Sequence, residues 1–310
     1  MRRHTAGLTK SDRNASPEDS ICFCNGAFVP ESRASIGVLD HGLLYGDGVF
    51  DTVVAWKGNL FRFDDHAERL FRSMRMVALS PEFSRSDLLE WTREAVRRNG
   101  LKTAYIKWIV SRGSNNTPLM DPKGCKPHPI ILVRPYIERF SAKSEAGISL
   151  KTVAIRRTPN QCLDARIKSL NYLNLILAKI EAKSASADEA LMLDTNGNIC
   201  EAPGYNIFVV SGRRLFTPKT DILEGITRDS VFKIARAAGY TAEAGNIGLY
   251  DAYTADEIFL TSTAGGLIPV ARLDGRDIGA AVPGPVFKEF SSAYAGMLGS
   301  AEWGLALNQH

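Results

Sequence analysis

No apolar run in this chain of 310 residues approaches the length needed to cross a membrane. The N-terminal stretch MRRHTAGLTKSDRNASPEDS lacks the apolar core of a secretory signal, and Asp12, Glu18 and Asp19 count against reading it as a transit peptide. A segment so polar has almost nothing to bury, so residues 1–19 are expected to form a disordered tail. Cysteine is scarce and odd in number: Cys22, Cys24, Cys125, Cys162 and Cys200 fit no zinc spacing and suggest reduced thiols in a cytoplasmic protein. The five histidines are scattered, which argues against a metal cluster. Basic and acidic residues, 38 and 34 of them, are spread along the chain with no basic block, which argues against a nucleic-acid partner. No internal repeat is visible.

What remains is an ordinary soluble composition, 45% hydrophobic, long enough for two domains. Hairpins are expected around Asn25-Gly26 and around Lys57-Gly58-Asn59. DDHAERLFRSMRMVAL reads as a helix capped by Asp64 or Asp65, with Leu70, Phe71, Met74, Val77 and Ala78 on one face and His66, Arg69 and Ser73 on another. A second helix runs from about Ser86 to Arg98, followed by strands in TAYIKWIVSRG and HPIILVRPYI with a long loop between them. The polar stretch ERFSAKSEAG, residues 138–147, reads as a linker. It separates a small α/β domain, residues 20–137, from a larger domain, residues 148–310. The latter holds a strand near 148–156, a helix headed by Lys168, and several strands punctuated by Asn196-Gly197 and Ser211-Gly212. Beyond these come a helix from about Ile226 to Ala238 stopped by Gly239, the strand EIFLTST, and a last helix from about Pro285. Hairpins mixed with helices give an α+β fold class.

Lys168 heads the apolar stretch LDARIKSLNYLNLILAKIEA, and a lysine at a helix start is usually a solvated surface residue. Three other stretches change that reading. In DILEGITRDSV, Gly225 precedes a helix start whose free N–H groups, with the Thr227 hydroxyl, suit an anion. In FLTSTAGGLIPV an apolar strand ends in three hydroxyl residues and two glycines, which suits close approach of backbone to a phosphate. In ICEAPGYNIF, Glu201 stands among apolar strand residues and needs a cationic partner. An amine, a carboxylate and two anion-binding turns are what pyridoxal 5′-phosphate requires: an amine for its aldehyde, an acid for its ring nitrogen, a cradle for its phosphate.

The ordered segments DHGLLYGDGVFDTV, FRFDDHAERL, IKSLNYLNLILAKIEA, EAPGYNIFVV, LEGITRDSV and TSTAGG resemble the motifs of class IV, fold type IV pyridoxal-phosphate aminotransferases, from about residue 25 to residue 290. The resemblance implies a two-domain architecture like that of D-amino acid aminotransferase, with the larger C-terminal domain binding the cofactor. It makes Lys168 the Schiff-base and catalytic residue and Glu201 the partner of the ring nitrogen. Arg69, Gly225, Ile226, Thr227, Ser262 and Thr263 match the phosphate cradle, Leu223 the residue against the ring, and Tyr172 a nearby tyrosine. Tyr45, Phe50, Arg112, Thr263 and Ala264 are the expected substrate pocket. A homodimer with its sites near the interface is implied as well.

The group includes branched-chain aminotransferases, D-amino acid aminotransferases, (R)-selective amine transaminases and aminodeoxychorismate lyase. Branched-chain enzymes carry an arginine where this chain has Val54, and GTGDN where it has APGYN. RRTP at 156–159, SRGSNNTP at 111–118, Tyr205 and VPGPV at 282–286 resemble the (R)-selective amine transaminases, although YGDGVF does not. The expectation is therefore an aminotransferase taking an (R)-amine or similar donor with a 2-oxo acid, with a branched-chain enzyme as the near alternative. Arg112, in the loop from Ser111 to Pro129, is the expected mobile cation for the acceptor carboxylate. A silent binding protein that merely kept the fold would have little reason to hold both Lys168 and Glu201.

Overall fold

The computed structural model describes residues 20–137, 143 and 145–307. The expected tail, and 138–142 and 144 of the expected linker, lie outside the described residues. The chain opens with β1 (Ile21–Cys24), β2 (Ala27–Pro30), α1 (His41–Tyr45), β3 (Gly48–Trp56), β4 (Asn59–Phe61), α2 (Phe63–Met76), α3 (Arg85–Arg98), β5 (Ala104–Ser111) and β6 (His128–Pro135). Both expected hairpin turns fall where Asn25, Gly26, Lys57 and Gly58 adopt positive φ. Each of these strands pairs antiparallel, and the C-terminal β15 (Gly304–Ala306) returns to the edge of β4. The result is a seven-stranded sheet in the order β15-β4-β3-β5-β6-β1-β2. Its core face presents Val53, Ala55, Ile106 and Trp108 to Leu70 and Met74 of α2 and Leu88 and Val96 of α3. Successive strand residues point to opposite faces, so Tyr105 and Lys107 of β5 stand on the face away from this core.

The second half contributes β7 (Ile148–Thr152), α4 (Leu173–Ser184), β8 (Glu189–Leu191), β9 (Asn206–Ser211), β10 (Arg214–Pro218), α5 (Ile226–Ala237), β11 (Thr241–Gly245), α6 (Leu249–Tyr253), β12 (Glu257–Ser262), β13 (Gly266–Leu273), β14 (Arg276–Asp277) and α7 (Pro285–Gly299). An eight-stranded sheet runs β11-β10-β9-β12-β13-β7-β8 with β14 attached to β13, and it has parallel pairs at its flanks and antiparallel ones at its centre. The fold is α+β. Val231, Ile234 and Ala235 of α5 pack with Phe287 and Phe290 of α7 on Phe208 and Phe259 of the sheet. Among the described residues no helix is long and apolar enough to cross a membrane, and no group of three or more His, Cys, Asp or Glu is placed to hold a metal.

Three local expectations are corrected. Helix α2 starts at Phe63, after Arg62 in the left-handed region, and Asp64 and Asp65 lie in its first turn, where carboxylates favour the helix dipole without capping it. Ala78, expected on its apolar face, lies beyond the helix end and is exposed, whereas His66 and Ser73 of the other face are buried. Lys168 does not head a helix. Residues 163–172 are irregular, and α4 begins only at Leu173. The segment around Lys168 is instead fastened to β3: Phe50 N–H donates to the Lys168 carbonyl at 2.8 Å and Leu170 N–H to that of Gly48 at 2.9 Å. The apolar stretch of α4 is also only half buried, for Leu173, Ile176, Leu177 and Ile180 are exposed along one side.

Candidate active site

A cavity of about 710 Å³ opens where the two sheets face each other. The long strand β3 brings Phe50 and Thr52 to it, α2 brings Arg69, and the segment pinned against β3 brings Lys168 and Tyr172. Glu201 arrives on the approach to β9, Leu223 and Gly225 on the approach to α5, and Ser262, Thr263 and Ala264 on the turn between β12 and β13. Segments spread along the chain from Phe50 to Ala264 thus converge on one space.

Lys168 is the amine at the centre. Its Nζ lies 3.4 Å from the Tyr172 hydroxyl and 4.7 Å from the centroid of the Phe50 ring. Burial, and then the nearby Arg69 charge, pulls its pKa down to about 8 against the opposing pull of Asp51 and Glu201. A lysine so placed exchanges its proton readily near neutral pH. The Tyr172 phenol is pushed the other way, above its ordinary value, by burial and by the Glu201 charge, so it stays protonated.

Glu201 is buried, and its oxygens are divided between two kinds of donor. Oε1 accepts from Arg157 Nε at 2.9 Å, while Oε2 accepts from the Leu223 N–H at 2.9 Å and the Asn206 amide at 3.5 Å. Asn206 also donates to the Leu223 carbonyl at 2.8 Å, which holds the segment that carries Leu223 against β9. The cation demanded by the burial of Glu201 is therefore Arg157, a residue of the RRTP segment.

At the opposite end, Gly225 caps α5 without a side-chain hydrogen bond, so the first-turn N–H groups of Ile226 and Thr227, residues that line the cavity, have no intrahelical acceptor. A Cβ on Gly225 would lie 2.1 Å from Asn206 Oδ1, so no larger residue fits there without moving that amide. Arg69 is held beside this turn from two sides. Its Nε and Nη2 donate bidentately to Asp51, both at 2.8 Å, and its Nη1 donates to the Glu224 carbonyl at 3.1 Å. Asp51 is fully buried and also faces His66 Nδ1 at 2.8 Å. Burial alone would raise its pKa, but the Arg69 charge and the bond to His66 hold it well below the usual carboxylate range. His66 is kept neutral mainly by its burial.

Two expected pocket residues stand elsewhere. The Tyr45 hydroxyl donates to the Pro118 carbonyl at 2.5 Å, and Tyr45 does not line the cavity. Arg112 also lies outside it: it is ion-paired with Asp47 and donates to the carbonyls of Val77 at 2.6 Å and Ala78 at 3.3 Å. In this structure its guanidinium is held by these three acceptors, away from the cavity lining. Sequence reasoning passed over other cations that do line the cavity. Arg134 is paired with Glu31, and Arg157 with Glu201 as above. Lys107 has no carboxylate partner among the described residues; its Nζ lies 4.4 Å from the Phe50 centroid, on the ring that Lys168 also approaches. Burial, followed by the Lys168 charge, lowers its pKa.

The family model for amino-transferase class IV matches residues 48–273, a span that begins with β3 and ends with β13. The chain is a class IV aminotransferase. It is 36% identical over 297 residues to the branched-chain-amino-acid aminotransferase of Pseudomonas aeruginosa, covering 92% of this chain and 96% of that one. The T.th. branched-chain amino acid aminotransferase, solved with N-(5′-phosphopyridoxyl)-L-glutamate, superposes with a TM-score of 0.88 at 32% identity, covering 94% of this chain and 99% of that one. That of Escherichia coli gives 0.90 at 29% identity, covering 94% and 100%.

Class IV aminotransferases use pyridoxal 5′-phosphate, and the residues of this aminotransferase fit that group. The cavity holds a partly buried amine, a buried carboxylate that is not hydrogen-bonded to it, and a helix start without a side-chain cap. It also holds an orphan: Thr261 Oγ1 is buried against the cavity without a hydrogen-bond partner among the described residues. A buried hydroxyl left unpaired is costly and is satisfied by a polar ligand. Asp51 was within reach of the reasoning applied to Glu201, since it too is a carboxylate in an apolar strand. Lys107 and Tyr105 were legible from the alternation of AYIKWIV, whose other face is core.

Proposed function

We propose that this transaminase moves amino groups between branched-chain amino acids and glutamate, each exchanging with its 2-oxo acid. The observation that carries this reading is the pairing of Phe50 with Lys107 on one pocket wall. An aromatic face suits a leucine-like side chain, and an ammonium beside it with no carboxylate partner among the described residues suits the distal carboxylate of glutamate. The relatives point the same way, being branched-chain enzymes, one of them solved with a phosphopyridoxyl-glutamate adduct and, in another form, with 4-methylvaleric acid. The (R)-amine donor expected from RRTP and SRGSNNTP loses its main physical support, because the cation meant to swing aside for it is tied to Asp47.

Lys168 is the residue that bonds the cofactor and moves the proton. Bound pyridoxal phosphate supplies an electron sink for the pair released at the substrate carbon. Lys168 Nζ would take the proton from that carbon and pass it on to the cofactor, the reverse transfer serving the other half-reaction, a role its lowered pKa suits. Glu201 would serve the ring nitrogen as a counter-charge. Ile226 and Thr227 N–H, the hydroxyls of Thr227 and Ser262, and Arg69 would hold the phosphate, and backbone of the turn at Thr263 and Ala264 would serve the substrate carboxylate. Leu223 and Tyr172 would line the ring's site.

Leu173, Ile176, Leu177 and Ile180 along one side of α4, and Leu43 and Leu44 of α1, are exposed apolar side chains, and a second copy of the chain is the occupant we infer for them. The free thiols fit a reducing compartment such as the cytoplasm. A donor screen with 2-oxoglutarate tests the assignment. Leucine, isoleucine and valine should be turned over briskly and (R)-1-phenylethylamine or D-alanine poorly; the reverse order, or release of pyruvate from aminodeoxychorismate as the dominant activity, would overturn it.

A further inference from the structure

Arg62, just before α2, is a guanidinium placed where little favours one. Its side chain is 6% exposed, and its φ of 48° is one that glycine adopts more easily, so the side chain and not the backbone accounts for an arginine here. It also reaches the first turn of α5, the positive end of that helix, which disfavours a cation. Contacts between the two halves of the chain offset these costs. Nε donates to Asp65 at 2.6 Å and Nη2 to Asp229 at 2.7 Å, while Nη1 donates to the Ile226 carbonyl and to Ser230 Oγ, both at 3.0 Å. The Arg62 N–H donates to the Trp303 carbonyl at 2.7 Å, and the Trp303 ring lies 5.9 Å from the guanidinium, so the clamp is itself anchored.

The contact with the Ile226 carbonyl bears on the phosphate. That carbonyl and the Thr227 N–H belong to one planar peptide unit and point in opposite directions. A cation on the oxygen therefore fixes the direction of the N–H and strengthens it as a donor. The geometry of the cavities agrees. A second cavity, of about 700 Å³, shares Arg69, Gly225 and Ile226 with the first, whereas Arg62, Asp65 and Asp229 line only the second, which Lys168 does not reach. Arg62 thus supports the turn from behind.

We propose that Arg62 is a positioning residue for the cofactor phosphate, acting through the peptide between Ile226 and Thr227. The proposal rests on the reading of that turn as part of the phosphate cradle. Losing Arg62 frees the peptide, weakens its N–H as a donor, and leaves Asp229, in the first turn of α5, with Lys233 at 3.4 Å as its ion-pair partner among the described residues. Each of these changes weakens the hold on a phosphate dianion, so their effects share one sign.

The test is the affinity of cofactor-free, full-length protein for pyridoxamine 5′-phosphate and for pyridoxamine. The two ligands share a ring and lack the aldehyde that would bond Lys168, but only one carries the phosphate. The wild type should bind the phosphorylated ligand far more tightly. R62M should bind it at least about fivefold more weakly, while its affinity for pyridoxamine stays within about twofold of the wild type. A merely structural role would instead weaken both ligands alike. If R62M does not fold, R62Q carries the same expectation. A ratio of the two affinities within about twofold of that of the wild type, in a folded variant, would overturn the role of Arg62 while leaving the phosphate site in place. Equal affinity of the wild type for the two ligands would remove the phosphate site itself.

Discussion

Replacing Asp51 with asparagine keeps the shape of the side chain and deletes one charge from a sealed cluster. Asp51 has no exposed surface, accepts two bonds from Arg69 at 2.8 Å and faces His66 at 2.8 Å. The Arg69 guanidinium, only 12% exposed, would then keep one bond to the amide oxygen and one to the Glu224 carbonyl but have no counter-charge in contact. Stranding one member of a buried pair costs about 3–5 kcal/mol, most of it the burial of the uncompensated partner. At about 2–4 °C per kcal/mol for a large chain, the melting temperature should fall by on the order of 10 °C. Thermal denaturation of cofactor-free protein, followed by circular dichroism, reads this directly. R69M alone should also destabilise, and D51N/R69M should be more stable than D51N by more than about 1 kcal/mol, since the stranded cation is gone. The pyridoxamine phosphate affinity of D51N should fall too, because the guanidinium is no longer held beside Gly225. A D51N loss under about 1 kcal/mol, or strictly additive losses in the double variant, would refute the view that Asp51 and Arg69 form one unit.

Other residues give further expectations. K107M should raise the Michaelis constant for glutamate and 2-oxoglutarate by about tenfold or more and leave that for leucine unchanged or lower, as a charge is removed from a wall that leucine needs apolar; steady-state kinetics on both substrate pairs decide it. R112A should leave both constants within about twofold and lower thermal stability, reversing the sequence-based expectation for this residue, because its guanidinium ties Asp47 to Val77 and Ala78. K168M should make the cofactor-free protein more stable below pH 8. In the folded state the lysine pKa is lowered to about 8 from 10.5, so folding disfavours its charged form; the gain should fade as the pH rises from 8 toward 10.5, and a pH series of melting curves measures it.

The motifs that carry the chemistry were legible because each needs a residue type no neighbour can supply: an amine at Lys168, a carboxylate at Glu201, a glycine at Gly225. The geometry between them was less so. An apolar stretch after Lys168 looks like a buried helix, but burial is decided by what packs against it, and only Leu175, Ala178 and Ala182 of α4 are covered. Polarity in a helix usually marks water, but the face that carries His66 and Ser73 is buried, and Asp51 of β3 is the partner of His66, which the spacing of polar residues alone does not reveal. The two hairpins and α5 with Gly239 beyond it were legible from turn chemistry alone. Arg112 shows the opposite limit. Sequence places an arginine in a loop but not its acceptors, and Asp47, Val77 and Ala78 come from distant positions in the chain.

The central claim is that one amine, Lys168, serves an apolar and an acidic amino acid in the same pocket. Single-turnover mixing of pyridoxal-phosphate-loaded protein with leucine, with glutamate and with (R)-1-phenylethylamine, followed by the absorbance of the cofactor, tests it most directly. The wild type should convert the cofactor to its amine form with leucine and with glutamate and barely with the amine, and K168A, loaded with the same cofactor, should do so with none. Conversion by K168A at a rate near that of the wild type, or conversion of the wild type by (R)-1-phenylethylamine but not by leucine, would contradict the account.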